Sequence, residues 1–295
     1  MTSPASGAAP SFEPWTPTQW RALLRRHRIR PDKRLGQNFL FNTRGLQTVV
    51  QAADLASTET VLEIGAGVGS LTQRLARQVA GVVAVEFDRR LLPALGEALD
   101  GLANVTLVAG DFLSLSLEAV VPQPGYAVVA NIPYNITSAV IRKLMESPNP
   151  PSRVVLTVQS EVAERIVAGP GEMSLLALSV QLYARPSIAA RLPASAFFPA
   201  PKVDSSVLRI DRIDQEQVDP DLAEAVFSLA RAGFGQKRKQ LHNSLGHGLA
   251  LTAGEVEQLL TSVGVAAARR PQSLSVDEWR RLAQAYMERD PAQAG

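Results

Sequence analysis

The chain has 295 residues, 46% of them hydrophobic and 20% charged, with a formal net charge of +2, enough material for one large domain and a smaller one. It contains no cysteine, which excludes a disulfide framework, thiolate metal ligation and a cysteine nucleophile, and fits a reducing cytoplasm. No apolar run reaches the length of a membrane span and no charged start precedes a short hydrophobic core, so neither membrane insertion nor secretion is expected.

Residues 1–20 are expected to form a disordered tail, being rich in Pro, Ala, Ser and Thr, with a short transit peptide as the alternative; Trp15 and Trp20 point to some docking of its end. The stretch that follows is basic. Arg21, Arg25, Arg26, Arg28, Arg30, Lys33, Arg34 and Arg44 stand there against one acid, Asp32. A second cluster, Arg231, Lys237, Arg238 and Lys239, lies in a stretch without acids. Two separate basic patches on a near-neutral chain suit a surface that follows phosphates; solvated helix faces are the plainer reading of the same charges.

From about residue 60 to 160, short apolar runs alternate with segments of helical period, the pattern of an α/β, doubly wound, Rossmann-like domain with a parallel sheet. Strands are predicted at Thr60–Ile64, 82–86, 104–108, 126–130 and 153–158. Asp88 and Thr137 are placed to cap the helices that follow two of them. A Pro-rich bend at 197–201 and a strand at 207–210 suggest a closing hairpin on the sheet edge. Beyond 219 the pattern is helical, near 220–233, 235–247, 253–263 and 275–289. Boundaries are therefore expected at 21–212 for the sheet domain, with its basic N-terminal segment, and at 213–295 for a smaller all-helical domain.

The run Val61-Leu62-Glu63-Ile64-Gly65-Ala66-Gly67-Val68-Gly69-Ser70 is a strand that empties into glycines and then a helix, so that backbone can approach a ligand at the carboxyl edge of the sheet. The next strand ends in Glu86, a carboxylate able to accept both hydroxyls of a ribose. Dinucleotides bind such loops too, but the G-x-G-x-G spacing is one residue tighter than their fingerprint, and Asp111 after the third strand is suited to an adenine amine. These features favour S-adenosylmethionine, held by Gly65, Gly67, Glu86 and Asp111. No metal site is expected.

Asn131-Ile132-Pro133-Tyr134 follows the fourth strand at the same edge. An adenine amine is a poor nucleophile because its lone pair is delocalised into the ring, so acceptors must draw on its N–H groups as the nitrogen turns tetrahedral. The Asn131 side-chain oxygen and the Ile132 carbonyl can do so. Pro133 fixes the backbone and Tyr134 offers a face for an extruded base. No general base is needed before transfer, since the amine becomes acidic once methylated. A plain turn is the other use of such residues.

With these motifs together the chain resembles the small-subunit (16S) rRNA adenine N6-dimethyltransferases. The resemblance runs from about Lys33 to Leu282. It is carried by Leu35-Gly36-Gln37-Asn38-Phe39-Leu40, the glycine loop, Glu86, Asp111, the tetrapeptide, Phe197 through Ser205, and Phe234-Gly235-Gln236-Lys237-Arg238-Lys239. It implies that Asn38, Leu40 and Asn131 also contact the cofactor and that Phe197 stacks on the base opposite Tyr134. Lys237, Arg238 and Lys239 would bind RNA from the helical domain. The implied reaction is dimethylation of two adjacent adenosines in the 3′-terminal hairpin of 16S rRNA, within an immature small ribosomal subunit, by a cytoplasmic monomer. Gln240 and His242 depart from the family's usual Thr and Arg. The rival branch methylates 23S rRNA and confers macrolide resistance; the start at Leu35 and the helical tail past 270 favour the small-subunit branch. A DNA adenine methyltransferase would need a target-recognition insert, and none is evident. A reading from another class is a non-catalytic ribosome-assembly factor.

Overall fold

A computed structural model describes residues 13–213, 218–236 and 239–289. The chain divides into two compact units. One comprises Met1–Ala163 and Ser187–Arg212, the other Glu164–Pro186 and Ile213–Gly295, so residues 164–186, expected with the sheet, belong to the helical unit.

In chain order the strands are β1 (Phe39–Leu40), β2 (Thr60–Ile64), β3 (Gly81–Glu86), β4 (Val105–Ala109), β5 (Ala127–Asn131), β6 (Arg153–Gln159), β7 (Ala184–Leu192), β8 (Phe197–Phe198) and β9 (Ser205–Arg212). Seven form one sheet in the order β4-β3-β2-β5-β6-β9-β7. Neighbours from β4 to β6 are parallel, and β9 returns antiparallel to β6 with Gln159 opposite Ser205. The alternation of strand and helix dictates this, because a parallel neighbour needs a crossover connection. From β2 the order runs one way through β3 and β4 and the other way through β5 and β6. That reversal opens a crevice at the carboxyl ends of β2 and β5. β1 and β8 form a separate short antiparallel pair with Leu40 opposite Phe197.

The inner strands are apolar on both faces, as helices cover both; Val61, Leu62, Val128 and Val129 are completely buried. A second cluster of the sheet unit seats the helix Pro17–Arg26 through Trp20, Leu23 and Leu24 on Phe39, Phe41 and Leu91. The expected tail therefore ends before residue 17. Pro17 at the first turn starts a helix and Trp20 has a large apolar surface to bury, Nε1 donating to the Trp15 carbonyl at 3.0 Å. Residues 1–12 lie outside the described residues.

The helical unit packs the helix Pro220–Gly235 through Leu222, Val226 and Leu229, in one cluster with Leu241, Leu245, Leu260 and Trp279. The helix expected at 235–247 is observed as Leu241–Leu249. The basic stretch before it is not helical where described: the preceding helix ends at Gly235 and Lys239 sits in a bend, its N–H donating to the Gln236 carbonyl at 2.9 Å. In the sheet unit, neither expected cap stands at a helix start. Asp88 accepts from the Arg90 N–H at 3.0 Å within a turn at 88–91 that precedes the helix Leu92–Ala98. A 3-10 turn, Tyr134–Ile136, puts Thr137 inside the helix Thr137–Met145.

Candidate active site

The crevice at the carboxyl ends of β2 and β5 is a cavity of about 280 Å³. Asn38, Leu40, Gly65, Gly67, Glu86, Asp111, Asn131, Ile132, Pro133 and Tyr134 all line it. Phe197 does not. It is 5% exposed and packs in the core of the sheet unit, so the expectation that it faces a base opposite Tyr134 is not met in this structure. The physical reason is strand alternation: two consecutive phenylalanines point to opposite faces, Phe197 into the main core and Phe198 onto the second cluster, stacked on Phe41 at 6.2 Å, so neither faces the cavity. Lys237 and Arg238 lie outside the described residues, and Lys239 is exposed in the helical unit.

The glycine loop turns through left-handed backbone at Gly65 and Gly67, with φ of +75° and +62°. A Cβ on Gly67 would come within 3.2 Å of the Phe39 ring, so the loop needs glycine for both conformation and space. The Gly67 N–H donates to Glu86 Oε2 and the Asp88 N–H to Glu86 Oε1, each at 2.7 Å. Both carboxylate oxygens are thus fixed, each with acceptor capacity left for a ligand. Burial raises the Glu86 carboxyl above its usual range, opposed by those backbone donors.

The 35–40 motif is tied to the same edge. Gln37 accepts from the Asp32 N–H and donates to Asp88 Oδ2, both at 2.8 Å. Asp88 is held below the usual carboxylate range, first by its hydrogen bond from Arg90. Asn131 Nδ2 donates to the Asn38 carbonyl at 3.0 Å, which assigns the amide and, among the described residues, leaves Oδ1 as a free acceptor. Among the described residues no backbone donor meets the Ile132 carbonyl. Tyr134 is half-buried and its hydroxyl pairs with Ser205 Oγ at 2.7 Å. Asp111 is exposed and accepts from the Leu113 N–H at 3.0 Å.

Glu63 belongs to the site although no motif singles it out. It lines the cavity, is 1% exposed, and its Oε2 has no hydrogen-bond partner. Burial pushes its carboxyl up to about 8; the nearby Thr72 hydroxyl opposes the shift without a well-formed hydrogen bond, and the charge of Glu86 adds to it. The signal in the sequence is an acid inside the apolar strand Val61-Leu62-Glu63-Ile64.

Residues 28–288 match the family Ribosomal RNA adenine dimethylase. The chain belongs to this family. A protein of Dehalococcoides mccartyi strain CBDB1 named Ribosomal RNA small subunit methyltransferase A is 41% identical over 270 residues, 91% of this chain and 92% of the relative. One of the same name from Alkaliphilus oremlandii is 35% identical, over 91% and 96%. Among solved structures, the 23S rRNA methyltransferase ErmE is 28% identical with a TM-score of 0.69, covering 85% of this chain and 100% of ErmE. A dimethyladenosine transferase from Plasmodium falciparum, 24% identical, shares the fold with a TM-score of 0.70 over 84% of this chain and 96% of its own.

Proposed function

We propose that this chain transfers methyl groups from S-adenosylmethionine to the N6 amines of two adjacent adenosines in the 3′-terminal hairpin of 16S rRNA, giving dimethyladenosines. The observation that supports it best is the convergence on one cavity of buried carboxylates and the two free acceptors at Asn131 and Ile132. The small-subunit target follows the names of the relatives at 41% and 35% identity.

The lining fits the cofactor. Glu63, with its unpartnered oxygen, suits a cationic end; Glu86 suits a ribose diol and Asp111 an adenine amine. Asn38, Leu40, Gly65 and Gly67 complete the wall. When bound, S-adenosylmethionine supplies an electrophilic methyl group. The chain's own part is to place the nucleophile: Asn131 Oδ1 and the Ile132 carbonyl accept from the adenine N–H groups, and Pro133, at φ −57° and ψ 135°, fixes that backbone. Tyr134 offers its ring to the extruded base. Phe197 could join it only after leaving the core. The substrate in this reading lies within an immature small subunit, met by a cytoplasmic monomer, and Lys237, Arg238 and Lys239 contribute phosphate contacts.

The test is mass-spectrometric mapping of methylated adenosines in rRNA from cells lacking the protein. Loss of the paired small-subunit marks is expected, restored by the unaltered chain and not by Asn131→Ala. Loss of a 23S mark instead would assign the chain to the other branch.

A further inference from the structure

The basic segment that begins in the last turn of the first helix takes no part in the chemistry above. Its foundation is rigid: Trp20, Leu23 and Leu24 are buried, and the Trp15 N–H donates to Gln73 Oε1 at 3.0 Å while Gln73 Nε2 donates to the Ala98 carbonyl at 2.7 Å. Some of its charge is already matched. Arg26 and His27 pair with Glu97, and Arg34 with Asp32. Arg25, Arg28, Arg30 and Lys33 are exposed and, among the described residues, meet no carboxylate.

Arg28 is held in left-handed backbone, φ +52°, in the turn that ends the helix, where the Ile29 N–H reaches back to the Leu24 carbonyl at 2.8 Å. Glycine is favoured at such a position, so an arginine stands there against local preference. The helix C-terminus attracts positive charge in its last turn, which accounts for Arg25 and Arg26 but not for Arg28, Arg30 and Lys33 beyond it.

The segment leads directly to the cavity, whose wall includes Arg34, Leu35 and Gly36. Four residues of extended chain span at most about 14 Å, so Arg30 lies within that distance of Arg34. A base extruded into the cavity brings its flanking phosphates to this rim. We infer that the segment from Arg25 to Lys33 is an RNA-phosphate surface of the sheet unit that grips the nucleotides beside the extruded adenosine. The inference rests on the rRNA reading above.

The experiment compares the full-length protein with a variant carrying Arg25→Gln, Arg28→Gln, Arg30→Gln and Lys33→Gln. Affinity for an unmethylated transcript of the 3′-terminal 16S hairpin is measured from about 50 to 300 mM salt. The variant should bind about tenfold or more weakly at low salt, and its slope of log affinity against log salt should be shallower by about 3. Its affinity for S-adenosylhomocysteine should be unchanged. Arg28→Gly alone should raise the thermal midpoint yet weaken RNA binding, which a purely structural arginine would not do. An unchanged salt slope in the fourfold variant overturns the inference, as does full RNA affinity in Arg28→Gly. Methylation of the same transcript by the unaltered protein tests the functional reading separately.

Discussion

A carboxyl group in the middle of an apolar strand must stay neutral or find a cation, and no cation is paired with Glu63 among the described residues. Below its ordinary value near 4.5 the group is protonated in both folded and unfolded chains. Between that pH and about 8 only the unfolded chain ionises, so stability is lost as pH rises through this window and the loss is complete above it. Glu63→Gln should therefore be more stable than the unaltered protein at pH 8, by on the order of 4 kcal/mol, with the difference vanishing near pH 4. Chemical denaturation across that range measures it, and calorimetry should show weaker S-adenosylhomocysteine binding by the same variant. A constant difference at all pH values would mean that the carboxyl is not the source. At Tyr134 the relevant partner is Ser205, fully buried at the start of β9. Ser205→Ala should lower single-turnover methylation several-fold by freeing the ring, and Tyr134→Phe should do the same. If the hydrogen bond carries the effect, the double variant loses little more than either single one; additive losses would sink this assignment.

At the scale of elements, close packing between two helices supplies a sharp test. A Cβ on Gly248 would lie 2.5 Å from Ala232 Cβ and 2.7 Å from its Cα, so the helices Pro220–Gly235 and Leu241–Leu249 meet without a spare methyl's width. Gly248→Ala should destabilise by about 1–3 kcal/mol or more, read as a lower thermal midpoint. Gly254→Ala, in a helix where nothing lies within 4 Å, should be neutral or stabilising by up to about 1 kcal/mol. The same distinction between local pattern and tertiary surroundings decides what is legible in the sequence. Strand ends are set by apolar runs and by the glycines and polar residues after them, so β2 to β6 fall within about a residue of their predicted places, and the residues at their carboxyl ends converge as expected. The caps expected at Asp88 and Thr137 fail because a turn stands between each strand and its helix. The place of Phe197 is not legible, because a period of two sends two adjacent phenylalanines to opposite faces without saying which apolar cluster each one enters. Nor is the weight of Glu63, which comes from burial and so depends on both faces of the sheet being covered.

On the scale of the molecule, a net charge of +2 produces little long-range field, so the two binding events should respond to salt through local charge alone. Glu63 and Glu86 are buried in the cavity wall, where ions screen them little, whereas the cations Arg25, Arg28, Arg30 and Lys33 are exposed. Affinity for S-adenosylhomocysteine should therefore change by less than about threefold between roughly 50 and 200 mM salt, while affinity for the rRNA hairpin should fall by about a hundredfold or more. Calorimetry and filter binding on one preparation give both numbers. A parallel fall in the two would place the cofactor's main contacts on exposed charges such as Asp111 and Arg34, and would transfer the leading role in binding from the strand ends to the cavity rim.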